Sequence, residues 1–370
     1  MSSSGGSSGA GPASGPFGAR WHDVPVPQAP TPTRRSRAAA AITQWVDPLV
    51  VMIVSVLVLG LLLPASGRVA DLLGTVKTAL VVLLFFLYGA RMATREVWDG
   101  LRNWRLQGSM LTATYLVFPA LGLLVQLLPD AVLAPDLRLG ILYLTILPST
   151  VQASIVFTSV ARGNIAGAIC GATISNVVGI VLTPVLVGVF MARSGGSVGG
   201  STGATLLQLL LPFVLGQLVQ PWIGSWVRAH RRLTLVTDRS TIVFVAYASV
   251  SEATTSGAWS GLTWVSLAVL LVVCGVVLGA MLSGTWAAGA RIGLHRGDRI
   301  ALLMVGSKKS LATGLPMASV LFAPAMAASV ALPVIMFHQL QLATCAVLAR
   351  RLAAGAPSAV AAQPVATPPR

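Results

Sequence analysis

Apolar residues in this chain neither alternate nor form a one-sided stripe; they come in runs near the roughly 20 residues that carry a helix across a bilayer. Ten runs can be marked, at 46–63, 72–90, 108–128, 137–159 and 165–192, then at 206–227, 240–251, 262–290, 300–322 and 325–348. Arginine, glycine, proline and short polar stretches separate them. In hydrocarbon each run must satisfy its own backbone hydrogen bonds, and none has the two-residue period of a barrel strand, so every run is predicted to be helical. The expected fold class is therefore an all-α integral membrane protein with ten transmembrane helices, occupying residues 45–352. The seventh run is short and the eighth long, which leaves their ends soft. Residues 1–40, rich in Ser, Gly, Pro and Ala, and residues 353–370 bury too little apolar surface to offset the entropy of ordering. Both are expected to be disordered cytoplasmic tails.

Composition agrees with hydrocarbon as the solvent: 55% of residues are apolar, 9% are charged and mean hydropathy is +0.81. A formal charge of +15 in a soluble protein would suggest nucleic-acid binding. Here the charge has another explanation. With a cytoplasmic N-terminus, the inside segments hold Arg20, Arg34, Arg35 and Arg37, then Arg91, Arg95, Arg102 and Arg105, then Arg162. They continue with Arg228, Arg231, Arg232 and Arg239, then Arg291, Arg296 and Arg299, and finally Arg350, Arg351 and Arg370. Only Arg68, Lys77, Arg138 and Arg193 fall outside. One miscounted span would exchange the sides of everything after it and erase this asymmetry, so the positive-inside rule supports all ten spans and puts both termini in the cytoplasm. The expected location is the plasma (inner) membrane, with the lipid bilayer as partner and no nucleic acid. The cysteines Cys170, Cys274 and Cys345 lie in apolar runs without zinc-ligand spacing.

Ten spans divide into five and five. Because five is odd, a second copy enters from the opposite side, giving inverted repeats expected at 45–193 and 204–352. The fourth run contains LPSTVQAS (147–154) and the ninth GSKKSLATGLP (306–316), so the fourth helix of each half is interrupted at a matching place. Proline and glycine among hydroxyls release backbone groups from the helix ladder, which is tolerated at membrane depth where the segment lines a polar cavity. Pro148 and Pro316 taken singly are equally consistent with ordinary kinks. As a matched pair they predict a solute site around Pro148, Ser149, Thr150, Gln152 and Ser154 on one side and Gly306, Ser307, Ser310 and Thr313 on the other. Thr114, Thr158, Asn176, His338 and Gln339 are further polar candidates, each alternatively a hydrogen-bonding link between helices.

Lys308 and Lys309 stand next to each other within the ninth run. A charge there costs about 3 kcal/mol on insertion scales unless it is solvated or paired. Snorkelling to the surface is one way out, although the nearer surface is already basic. The other is a partner: an anionic substrate, helix-end carbonyls, or loss of the proton from one of the two amines. No acid lies mid-run to serve, since Asp47, Asp238, Glu252 and Asp298 all fall near run ends. The pair is thus a candidate element of the solute or proton pathway.

WVDP (45–48), FFLYGARM (85–92), LRNWRL (101–106), ARGNIAGA (161–168), LPSTVQAS, SNVVGIVLTP (175–184), DRIALL (298–303) and GSKKSLATGLPM together resemble the bile acid:sodium symporter superfamily. More narrowly they are similar to its SBF-like branch, the group around the seventh member of human solute carrier family 10. The resemblance covers about 45–352 and implies an inverted five-plus-five repeat with a panel domain of spans one, two, six and seven. The remaining spans form a core domain in which the broken fourth and ninth helices cross, and the core moves against the panel in alternating access. Sodium chemistry transfers less well. The cation-binding acid of span nine falls on Met304, and the polar positions after the glycine fall on Ser307, Lys308 and Lys309. A serine of span four is kept as Ser154, but its asparagine falls on Ile155, the span-five hydroxyls on Ala168 and Ala172, and a span-three glutamine on Thr114. Too few oxygens remain for two sodium sites, so no metal site is assigned, and a lysine amine is expected to occupy that space.

The reading that follows is a secondary transporter of small solutes, expected to be organic anions, with no cofactor and with sodium or a proton as coupling ion. A regulatory membrane protein that keeps the fold without transporting is the alternative. An enzyme is disfavoured: His22, His230, His295 and His338 are scattered, and no nucleophile sits beside a base. Neither a GxxxxGK[ST] loop nor a cytosolic domain suggests a nucleotide-driven pump.

Overall fold

The computed structural model describes residues 48–91, 103–191, 202–255, 257 and 262–355. The tail 1–40, residues 45–47 of the expected domain, the basic residues Arg95, Arg102 and Arg193, and residues 356–370 lie outside this set. The described residues form helices: α1 Pro48–Leu62, α2 Arg68–Arg91, α3 Trp104–Thr112, a π turn Ala113–Val117, α4 Phe118–Val125, α5 Pro135–Ile146 and α6 Val151–Val160. They continue with α7 Ile165–Phe190, α8 Thr202–Ala229, α9 Arg231–Thr255, α10 Trp264–Arg291, α11 Arg296–Gly306, α12 Leu311–Leu321 and α13 Pro324–Ala354.

Seven of these stretches are long and apolar enough to cross a membrane: Arg68–Arg91, Trp104–Val125, Ile165–Phe190, Leu207–Ala229, Arg232–Thr255, Trp264–Arg291 and Met326–Ala354. The pair α5 and α6, bent by 66°, makes an eighth if it counts as one span. Helices also occupy the two other predicted runs without meeting that test. The first, α1, has only 15 residues, and the pair α11 and α12 carries Arg296, Asp298, Arg299, Lys308 and Lys309. Large apolar side chains face outward along these helices, among them Leu62, Leu72, Val272, Trp222 and Trp264. Such surface is stable against acyl chains and not against water.

The seventh run is longer than expected. Its low-hydropathy first half, with Thr234, Asp238 and Arg239, continues the helix, so that α9 has 25 residues and Asp238 falls inside the membrane-length segment. Polarity alone had hidden it, because these residues face an internal cavity and not lipid.

α9 stands between two sets of helices, packing on α1 and α2 on one side and on α12 and α13 on the other. In the first set α2 also packs against α8. Glycines set the α2–α8 contact: a Cβ on Gly89 would strike the Phe213 carbonyl, and one on Gly216 the Phe86 carbonyl, so the two backbones touch. In the other group α5 packs on α13 and α4, α6 on α7, and α11 on α10, α6 and α7. Edge-to-face pairs lock it, Tyr143 with Phe322 at 5.1 Å and Phe118 with Phe337 at 6.0 Å.

Candidate functional site: two broken helices and a cavity

The site begins with an accounting of released backbone groups. Where α5 ends, the carbonyls of its last turn and of the break that follows have no helical partner. Side chains and backbone from elsewhere take them one by one: the Thr183 hydroxyl donates to the Ile146 carbonyl (2.8 Å), the Ser310 amide to Pro148 (2.8 Å) and the Asn176 amide group to Ser149 (2.7 Å). The second break, between α11 and α12, is served from the first. Ser149 Oγ donates to the Val305 carbonyl (2.6 Å), Ser154 Oγ to Met304 (2.9 Å) and Thr150 Oγ1 to Lys309 (2.7 Å). The two interruptions therefore hold each other.

Lys309 is the keystone. Its side chain is 1% exposed, and its Nζ donates to three carbonyls: Thr114 (2.9 Å), Thr145 (2.7 Å) and Leu147 (2.7 Å). An ammonium has three N–H donors, one for each of these acceptors, where a neutral amine has only two. Thr145 and Leu147 lie at the C-terminal end of α5, where the helix dipole is negative. Thr114 lies in the π turn, and Pro119, five residues on, has no N–H with which to close onto it. The Phe118 ring lies 4.2 Å from the same Nζ. Behind Lys309, the Gln341 carboxamide accepts from its backbone N–H and donates to its carbonyl, both at 2.9 Å, and also meets His338 Nδ1 at 2.8 Å.

Lys308 is equally buried but more sparsely held, by the Ala153 carbonyl at 3.1 Å and the Phe157 ring at 4.3 Å. Neither lysine snorkels. Of the alternatives left open by the sequence, helix-end carbonyls are the partners of Lys309.

A cavity of about 820 Å3 lies between these breaks and the helices α2, α8 and α9. Thr150, Gln152, Asn176, Ser310, Thr313 and His338 line it. The other candidates stand behind this wall: Thr114, Pro148, Ser149, Ser154, Thr158, Gly306, Ser307, Lys308, Lys309 and Gln339 hold the breaks or pack around them without facing the cavity. Ser307 Oγ folds back onto the Leu303 carbonyl, while Thr158 Oγ1 and Gln339 Nε2 are buried with no hydrogen-bond partner. The first turn of α6 opens into the cavity without a side-chain cap at Thr150; that of α12 is capped by Ser310, whose Oγ accepts from the Thr313 amide at 3.2 Å.

Nothing in the arrangement is a catalytic constellation. Among the described residues no group of three or more His, Cys, Asp or Glu gathers as metal ligands. The oxygens best disposed for a cation at the breaks already hold the Lys309 ammonium, which does not fit an added sodium ion at that point.

Residues 47–354 match the model of the SBF-like CPA transporter family. The chain belongs to that family. It is a multi-pass membrane transporter and not an enzyme. Among its relatives it is 40% identical over 318 residues to "Uncharacterized protein PA2026" of Pseudomonas aeruginosa, covering 85% of this chain and 96% of that one. It is 41% identical over 306 residues to "Putative symporter YfeH" of Escherichia coli, covering 82% and 92% of the two chains. "Sodium/bile acid cotransporter 7" of Mus musculus is 26% identical over 279 residues, 74% of this chain and 82% of that one. The broken-helix segments and the lysines all lie inside the matched region.

Sequence reasoning missed the side of the cavity wall formed by α2, α8 and α9. Tyr88, Arg91, Arg228, Asp238 and Arg239 face the breaks from α2, α8 and α9. The three arginines were counted only as topology charges, and Asp238 was set aside as lying near a run end. One signal was present: an acid and a base adjacent at 238 and 239, in a helix otherwise long enough to span.

Proposed function

We propose that this chain is a secondary transporter of small organic anions that works by alternating access around its two helix breaks. In this reading the ten helical segments form an inverted five-plus-five repeat in the plasma membrane, with both termini cytoplasmic. The group α1, α2, α8 and α9 is the panel, the other helices are the core, and the broken helices cross where Lys309 sits. The single observation that carries the proposal is the Lys309 ammonium bound to three carbonyls. In this reading it supplies an internal cation where the two breaks meet, which holds them together without a bound sodium ion. The name of the mouse relative includes sodium; for this chain we propose that coupling, where present, uses a proton or another gradient. The cavity supports transport over a purely regulatory role, because a space of this size with apolar walls, basic side chains and uncapped backbone amides suits a small organic anion.

The test is uptake into proteoliposomes of a panel of organic anions under sodium, proton or no gradient. Accumulation of an anion that persists without sodium supports the proposal. Accumulation strictly dependent on sodium would overturn its coupling part, and uptake confined to neutral or cationic solutes would overturn its substrate class. A protein with no uptake of any compound fits the regulatory alternative.

A further inference from the structure

The charged side chains of the cavity are three arginines and one aspartate: Arg91 at the end of α2, Arg228 near the end of α8, and Asp238 and Arg239 on α9. Asp238 meets Arg91 through one contact, Nη1 to Oδ2 at 3.4 Å, with Asp238 the more buried side chain at 15% exposure against 37%. Charge-assisted pairs that are well made are shorter, at about 2.7–2.9 Å, and for arginine are often bidentate. The guanidinium also lies over the Tyr88 ring, 4.5 Å from its centroid. Among the described residues no carboxylate pairs with Arg228 or Arg239. The walls beyond this cluster are apolar, formed by Ile155, Phe157, Val177, Ile180, Phe213 and Ile242.

This is a cavity with a cationic end, an apolar body and one internal anion loosely placed on the best oriented cation. We propose that Arg91, Arg228 and Arg239 form the head-group subsite for an organic oxyanion, a carboxylate, sulfate or phosphate monoester on an apolar body. Asp238 is the internal anion that occupies Arg91 when the subsite is empty. The inference rests on the organic-anion reading of the same cavity. An entering oxyanion takes the Arg91 fork in two parallel N–H···O bonds, and Asp238 gives up its single contact. Because Arg91 is on α2 and Asp238 on α9, the exchange loosens one tie between those helices only when a ligand is present.

Binding to the full chain in nanodiscs tests this by calorimetry with naphthalene-2-carboxylate, naphthalene-2-sulfonate and 2-naphthyl phosphate, against neutral naphthalene-2-methanol. Removing an ionic hydrogen-bond partner from a bound oxyanion is expected to weaken binding about tenfold, so Arg91→Gln should lose that much for the anions and nothing for the alcohol. Asp238→Asn should bind the anions more tightly than the parent. In Arg91→Gln/Asp238→Asn that gain should vanish, because Asp238 acts through Arg91. Arg105→Gln, an exposed arginine outside the cavity that stacks on Trp104, should bind like the parent.

A gain from Asp238→Asn that survives without Arg91 overturns the internal-anion role and leaves only long-range charge. Weaker binding by an Asp238→Asn protein that melts like the parent overturns it too. Equal losses from Arg105→Gln and Arg91→Gln overturn the local subsite. A parent that binds none of the three probes overturns the subsite; if it still takes up another anion in proteoliposomes, the transport reading stands without it.

Discussion

Lys309→Met tests the structure where it is most committed. The two side chains have similar length and volume, so the change removes a charge and three hydrogen bonds without opening a cavity. The carbonyls of Thr114, Thr145 and Leu147 would lose their shared partner. Leaving a buried acceptor unsatisfied costs about 1–3 kcal/mol, so three sum to roughly 3–9 kcal/mol. Part of this is offset, because the protein no longer desolvates an ammonium; breaking buried ionic groups in other proteins nets about 3–5 kcal/mol. At roughly 2–4 °C per kcal/mol for larger domains, the variant should melt about 10 °C below the parent. The assay is thermal unfolding of purified protein followed by a thiol-reactive dye, for which the buried Cys274 and Cys345 serve as reporters. A complementary variant, Lys309→Ser, leaves three carbonyls around a vacated cation position. It should become stabilised by sodium over choline, by about 1.4 kcal/mol for 100 mM ion and a Kd near 10 mM. The parent should show no such difference. A Lys309→Met protein that melts within about 2 °C of the parent would refute the reasoning, since it would mean that the ammonium does not hold the breaks together.

Lys308→Met should cost much less, about 1–2 kcal/mol, because Lys308 has one carbonyl and one ring as partners; a melting shift equal to that of Lys309→Met would contradict the asymmetry. Gly89→Ala and Gly216→Ala should each abolish monodisperse protein on size-exclusion chromatography, because the added Cβ meets backbone and not a side chain that can turn away. Gly279→Ala, with open space at its Cβ, should instead be neutral or stabilising by up to about 1 kcal/mol, read by the same chromatography and melting. Asn164→Ala removes the cap of α7, whose Oδ1 accepts from the Gly167 amide at 2.8 Å, and the amide donor to Asp298 at 2.6 Å. It should lower stability by about 1–2 kcal/mol, visible as a melting shift of a few degrees.

The sequence made the helices legible because bilayer thickness sets a length that soluble folds do not share, so 165–192 and 262–290 could be marked nearly to the residue. It also exposed the breaks, since Pro148 with Ser149 and Gly306 with Ser307 release backbone groups in a way visible in one dimension. What it could not give was the partner of Lys309. Acceptors on the backbone at 114, 145 and 147 leave no mark on side-chain identity; Thr114 was selected for its hydroxyl, yet its carbonyl takes the lysine while the hydroxyl bonds the Met110 carbonyl. Arg91, Arg228 and Arg239 were misread for the opposite reason: one charge can answer both the positive-inside rule and a cavity, and the first explanation concealed the second. Asp238 is 147 positions from Arg91, and only the packing of α9 on α2 brings them together.

The three oxygens around Lys309 also set an order of manufacture. All come from residues 114–147, translated long before the lysine itself. The late segment with Lys308 and Lys309 is a poor candidate for independent partition from the translocon, at about 3 kcal/mol for each charge. It has to be received by an amino-terminal half that is already assembled and already offering its carbonyls. The second half made alone would have no such acceptor for Lys309, so its late charged segment depends on the residues made before it.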